Sequence, residues 1–123
     1  MYFLALAVDF DGTIARDGRA EASTYDSLKR LKETGRRPIL VTGRELRNLG
    51  DSNLDLFARV VAENGTVVYD PSTKRQHVIG DKAPADLIRA LKEKKVEPLS
   101  VGESIATWCP HETTAGSHPR SWS

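Results

Sequence analysis

Two carboxylates stand two residues apart in Asp9-Phe10-Asp11-Gly12-Thr13, directly after the apolar run Phe3-Leu4-Ala5-Leu6-Ala7-Val8. An apolar run without polar alternation is the pattern of a parallel strand covered on both faces. Acids at the carboxyl end of such a strand face the crevice in which open α/β sheets bind ligands. One carboxylate there could attack while its neighbour moves protons. An Asp that accepts a phosphoryl group forms an aspartyl-phosphate and splits a difficult hydrolysis into two easier displacements. Thr42-Gly43, after a second apolar run, adds a hydroxyl and main-chain N–H groups near an expected helix start. That setting suits phosphate oxygens, and taken alone it suits a plain helix cap as well.

Positioning these groups requires a sheet. Phe3 to Val8 reads as a central strand, followed by a helix capped by Ser23 or Thr24 with Tyr25, Leu28 and Leu31 at helical spacing and Gly35 after its end. Arg37 to Val41 forms the second strand, with Pro38 near its start, and Arg44 to Leu49 a short helix. Asp55 to Phe57 leads into a third strand over Arg59 to Ala62, and Asn64-Gly65 favours a tight turn. This βαβα order implies a parallel, Rossmann-like α/β sheet with flanking helices. Thr66 to Tyr69 and Gln76 to Ile79 flank a polar turn, which predicts a β-hairpin protruding from the main sheet. Pro84 opens a helix with Leu87, Ile88 and Leu91 that closes on Lys92, Lys94 and Lys95. Leu99 to Trp108 reads as one further strand interrupted by Gly102, and residues 113–123 as a disordered polar tail, so the folded domain is expected over 1–112.

The Asp-x-Asp-Gly-Thr run, with Val41-Thr42-Gly43-Arg44 and Ala62-Glu63-Asn64-Gly65 following in order, resembles the haloacid dehalogenase superfamily of phosphatases. The spacing is similar to that of its Cof-like and sucrose-phosphate-type members. The resemblance implies Asp9 as nucleophile, Asp11 as general acid and base, and Thr42 as a hydroxyl ligand of the phosphoryl group. Gly12 and Thr13 would shape the phosphate loop, with Gly43 beside Thr42. A Mg²⁺ ion would find a partial shell in the Asp9 carboxylate, a main-chain carbonyl at Asp11 and a phosphate oxygen, since it prefers oxygen ligands and retains waters. Arg44 is either an assisting cation or an exposed one.

The likeness covers roughly the first hundred residues. The family also uses a later lysine and later metal-binding aspartates, and Lys74, Lys82 and Lys92 do not stand at the lysine's position. The expectation is therefore a carboxyl-terminally truncated phosphatase, inactive or weakly active alone, whose polar tail fits an early stop after a change of reading frame. Without the later strands, the first strand would become an open edge inviting a partner chain or self-association.

Composition narrows the partners. Among 123 residues, 39% are hydrophobic and 28% charged, which is ordinary for one globular domain. Lys and Arg total 18 against 17 for Asp and Glu, so charge gives no reason to expect nucleic acid or a membrane surface. A small phosphorylated metabolite remains compatible. Cys109 is the only cysteine, which excludes an internal disulfide and suits a cytoplasmic location. The apolar amino terminus lacks a basic region and a cleavage site, so it reads as strand rather than leader. His111-Glu112-Thr113-Thr114-Ala115 lacks the second histidine of a zinc-protease helix, and His77, His118 and Lys92 to Lys95 suggest no site. Two other readings stand beside the phosphatase: a non-catalytic phosphate- or Mg²⁺-binding fragment needing a partner chain, and a receiver-like phosphoacceptor domain.

Overall fold

The computed structural model describes residues 2–50 and 53–108. Its main sheet has five strands: β1 (Ala5–Asp9), β4 (Arg37–Val41), β5 (Arg59–Ala62), β6 (Val67–Asp70) and β7 (Arg75–Val78), in the spatial order β1-β4-β5-β6-β7. The first three run parallel and the last two antiparallel. Between β1 and β4 lie a small hairpin, β2 (Ala15–Arg16) and β3 (Arg19–Ala20), and then helix α1 (Ala22–Glu33). The mixed sheet with flanking helices is the α/β, Rossmann-like architecture expected from the βαβα order.

The core lies on the α1 side of the sheet. Phe10, Leu28, Leu40, Phe57 and Val60 are buried together, with Val8 and Tyr25 packed against them. Complete burial of side chains such as Leu40 and Val60 stabilises by roughly 1.5–3 kcal/mol each. Helix α1 begins after Glu21 without a side-chain cap, so Ser23 and Thr24 fall inside its first turn rather than before it. At its end Gly35 takes φ +86° and donates to the Lys32 carbonyl at 3.0 Å, as its place in the sequence predicts.

Several expectations are corrected. Strand β1 starts at Ala5, not Phe3, because β4 begins opposite Ala5; upstream, the Arg37 N–H donates to the Leu4 carbonyl at 2.9 Å, and among the described residues the Phe3 carbonyl accepts only from the Arg36 side chain, at 3.2 Å. Among the described residues β1 pairs with β4 alone, at the open edge expected without later strands and not in the central place its apolar run suggests, and Leu6 is 44% exposed. The hairpin after β5 does not protrude. Glu63, Asn64 and Gly65 all take positive φ (49°, 58° and 99°), and this left-handed turn sends β6 straight back along β5, extending the main sheet. Arg44 to Leu49 is not a helix throughout. The Arg44 carbonyl accepts from the Glu63 N–H at 3.0 Å and Glu45 is extended, leaving a 3-10 turn over Leu46–Leu49.

The segment from Leu99 to Trp108 is a pair of short strands, β8 (Leu99–Val101) and β9 (Ala106–Trp108), forming their own antiparallel sheet. The Gly102 N–H donates to the Ile105 carbonyl at 2.8 Å and closes the turn between them. Helix α2 (Ala85–Glu93) follows Pro84 as expected, and none of its residues is buried. No helix among the described residues is long and apolar enough to cross a membrane. The expected tail at 113–123, and the domain boundary at 112, lie outside the described residues.

Candidate active site

The register of the sheet brings the sequence motifs together. Asp9 pairs with Val41, so Asp9 and Thr42 arrive at the same end of two adjacent parallel strands. Val41 pairs in turn with Val61, which places Glu63 and Asn64 just past the end of the third. The site therefore sits beyond the carboxyl ends of β1, β4 and β5, where open sheets of this kind bind ligands.

Asp9 is exposed, and one of its carboxylate oxygens, Oδ1, accepts from the Phe10 N–H at 3.0 Å. Phe10 is 1% exposed and anchors the loop in the core while its N–H also reaches the Val41 carbonyl at 3.2 Å. The next turns fold tightly around the Phe10 carbonyl, which accepts from the Thr13, Ile14 and Ala15 N–H groups. Gly12 takes φ +76°, a conformation that favours glycine, and donates to the Ala15 carbonyl at 2.9 Å. The Gly12 and Thr13 N–H groups are thus engaged inside the loop, and the group that Thr13 offers outward is its exposed hydroxyl.

Arg44 holds Asp11. Its Nε donates to Oδ2 at 2.8 Å and to Oδ1 at 3.1 Å, and its Nη2 to Oδ1 at 2.7 Å. This forked geometry fixes both oxygens of a carboxylate whose side chain is only 16% exposed. The guanidinium also lies 5.5 Å from the centre of the Phe10 ring and beside Gly18, at the tip of the β2/β3 hairpin. The sequence left Arg44 between an assisting and an exposed cation; the structure puts it on Asp11.

Thr42 is 2% exposed, its N–H bonded to the Val61 carbonyl and its hydroxyl oxygen accepting from the Arg44 N–H at 3.1 Å. The hydroxyl proton remains to be donated. The Gly43 N–H has no acceptor among the described residues. A Cβ on Gly43 would stand 2.8 Å from Asn64 Oδ1, so the Asn64-Gly65 turn packs directly on the Thr42-Gly43 turn.

Two buried carboxylates next to the site were given no role in the sequence reading. Glu63, 2% exposed, accepts from the Glu103 N–H at 2.8 and 3.2 Å. Glu45, 4% exposed, accepts from the Ser100 hydroxyl and pairs with Arg47, which also donates to the Val101 carbonyl at 3.0 Å. Together they tether the β8/β9 hairpin to the ends of β4 and β5, flanking an open groove of about 570 Å³ lined in part by Glu45, Glu63, Lys82 and Glu103. The one available signal was their position, Glu45 directly after Val41-Thr42-Gly43-Arg44 and Glu63 within Ala62-Glu63-Asn64-Gly65.

For a divalent cation the donor chemistry is suitable in kind. The exposed Asp9 carboxylate and the Asp11 main-chain oxygen are hard oxygen donors of the type Mg²⁺ takes. Among the described residues no cluster of three or more His, Cys, Asp or Glu could hold a metal ion.

Comparison with known proteins agrees with the geometry. No curated protein matches the chain in sequence. A HAD/COF-like hydrolase structure from Plasmodium vivax is similar at 29% identity and TM-score 0.57, over 76% of this chain and 37% of its own. A subclass IIB sugar phosphatase of the same superfamily is similar at 24% identity and TM-score 0.59, over 83% and 42%. A haloacid dehalogenase-like hydrolase from Bacteroides thetaiotaomicron shares the fold at TM-score 0.62 and 20% identity, over 80% and 40%. This chain thus spans well under half the length of these structures. The sequence profile of the haloacid dehalogenase-like hydrolases matches residues 6–119, nearly the whole chain, and on that match the chain belongs to this hydrolase family.

Proposed function

We propose that the chain carries the nucleophile half of a Mg²⁺-dependent phosphohydrolase site acting on a small phosphorylated metabolite. The observation that carries this reading is the register of β1 on β4, which sets Asp9 beside Thr42 while Arg44 holds Asp11 at the same sheet end. The exposed Asp9 carboxylate attacks phosphorus, the P–O bond to the leaving group breaks, and Asp11 delivers a proton to the departing oxygen. Asp11 then takes a proton from the water that hydrolyses the aspartyl-phosphate. Arg44 positions Asp11, and proton transfer requires that one carboxylate oxygen leave the fork. The Thr42 hydroxyl and the Gly43 N–H would donate to phosphoryl oxygens, with the Thr13 hydroxyl at the loop.

Mg²⁺ would be held by the Asp9 carboxylate and the Asp11 main-chain oxygen, and when bound it supplies positive charge against the charge developing on the phosphoryl oxygens. Because phosphoryl transfer depends mostly on positioning and charge stabilisation, we expect this chain alone to turn over weakly. Family membership favours the hydrolase over a receiver-like phosphoacceptor, and a cytoplasmic location is the setting in which phosphorylated metabolites would be met. A Mg²⁺-supported hydrolysis assay over small phosphorylated metabolites tests the reading. Asp9→Asn should abolish turnover and Asp11→Asn should lower it by about 10²–10⁴. Full activity in Asp9→Asn would overturn the assignment.

A further inference from the structure

The end of the sheet opposite the candidate site carries a pocket of its own. It has a volume of about 270 Å³ and lies between the end of α1, the starts of β4 and β5, and the turn after β6. All of its walls fall within residues 32–72. Strand β4 joins the two ends, running from Arg37 in the pocket wall toward Thr42 at the candidate site, which at about 3.3 Å per residue is a span of roughly 16 Å.

Lys32, Arg36, Arg37 and Arg59 bring four positive charges to this pocket. Against them stand Asp55 in the wall and Asp70, paired with Arg59 at 3.3 Å, which leaves an excess of two. The whole chain has a formal net charge of +1, so the excess is local and is offset elsewhere on the molecule. Cations near the end of α1 suit its dipole, but Arg37 and Arg59 stand on strands and answer to no helix. Neutral groups hold three of the four. Lys32 Nζ donates to the Asp55 carbonyl at 3.3 Å, Arg36 to the Phe3 carbonyl at 3.2 Å and the Thr34 hydroxyl at 3.0 Å, and Arg59 to the Ala58 carbonyl at 2.6 Å. Such bonds fix the side chains without cancelling their charge. The Arg37 guanidinium has no hydrogen-bond or ion-pair partner among the described residues. Buried Pro38, Phe57 and Pro71 add apolar wall, beside which water screens charge less than in the bulk.

We propose that this pocket binds a small tetrahedral dianion, with inorganic phosphate as its probe. The excess of two positive charges matches a dianion, and guanidinium groups offer forked donors that fit phosphate oxygens two at a time. The volume holds one such anion with a few waters, since a water takes about 30 Å³. Arg37, whose donors are all available, carries the largest share of the recognition. The site is independent of the phosphohydrolase reading, which concerns the other end of the same strands.

The test is a phosphate titration of the full chain without Mg²⁺, at constant ionic strength, followed through main-chain amide and arginine Nε–H spectra. Shifts should saturate at Arg36, Arg37, Ala58, Arg59 and Ser72, and chloride alone should not produce them. Arg37→Gln, at an exposed position, should keep the wild-type far-ultraviolet circular dichroism and weaken this binding about tenfold, as expected for losing charge-assisted hydrogen bonds. Lys32→Gln, on the exposed last turn of α1, should weaken it to a smaller extent. A spectrum that phosphate leaves unchanged overturns the proposal, as do shifts confined to Thr42 and Gly43. Equal shifts with chloride, the mark of a generally basic surface, also overturn it, and so does undiminished binding in either variant.

Discussion

Strands β1 and β4 are both five residues long, both apolar, and run parallel side by side, yet one is bare and the other sealed. Leu40 on β4 is fully buried between two strands and under α1, while Leu6 on β1 is 44% exposed. The difference lies in the neighbours and not in the residues. Among the described residues, the strand that carries the candidate nucleophile has a single hydrogen-bonded neighbour, and the strand leading to Thr42 has two. The candidate site at the sheet end is therefore anchored from the β4 side through Thr42 and Arg44, whose guanidinium lies over the Phe10 ring.

The widest gap between the two strands should appear in truncations. Leu40→Ala should cost about 2–5 kcal/mol, the range for a core cavity. Leu6→Ala should cost roughly 1 kcal/mol or less in the monomer, since much of its surface is already in water. Denaturant unfolding of both variants measures the contrast, and equal losses would break the comparison. Next in size is the Arg44 fork. Arg44→Lys should lose about 1 kcal/mol, because a point charge cannot reproduce the two-pronged donation and the pair is partly exposed. Carbon-13 shifts of the Asp11 carboxylate should move with it, and an unmoved carboxylate would show that Arg44 does not hold it.

Gly43→Ala addresses the contact between the β4 and β5 turns. Its methyl group would meet Asn64 Oδ1, so amide shifts should spread from Thr42 to Gly65, and shifts confined to residue 43 would contradict the packing. The smallest effect belongs to Asp70, far from the site. The Ser72 hydroxyl hydrogen bond holds its carboxyl below the usual range. A lowered folded value contributes stability above the unfolded carboxylate range, and that contribution fades as pH falls through the folded value. Thermal midpoints of wild type and Asp70→Asn should therefore differ slightly at neutral pH and converge in acid.

How much of this was legible in the sequence follows from the range of the interactions. Strand β4, the core of α1 and the Gly35 terminus depend on residues within a few positions, and local patterning located them. The apolar run of β1 reads as a central strand, and its edge position was expected only from the later strands that the family resemblance calls for, since no apolar run encodes which strands pair. The split of Leu99 to Trp108 depends on one turn bond at Gly102, where β-branched and apolar residues on both sides read as a single strand. The β2/β3 hairpin had a local signal, Asp17-Gly18, both with positive φ as a two-residue turn requires. At the site, Asp9, Asp11 and Thr42 were visible as motifs. The Arg44 fork spans 33 residues and the Glu63 tether 40, so both became visible only with the fold.

The central claim is that the ends of β1 and β4 form one phosphoryl-binding site built on the Asp9 carboxylate. It can be tested directly by recording amide and methyl spectra of the full chain during titration with Mg²⁺ and beryllofluoride, a mimic of the phosphoryl group on a carboxylate. Shifts should concentrate at Gly12, Thr13, Thr42 and Gly43 and vanish in Asp9→Asn. Shifts that persist in Asp9→Asn, or a wild-type spectrum that does not change, would contradict the account.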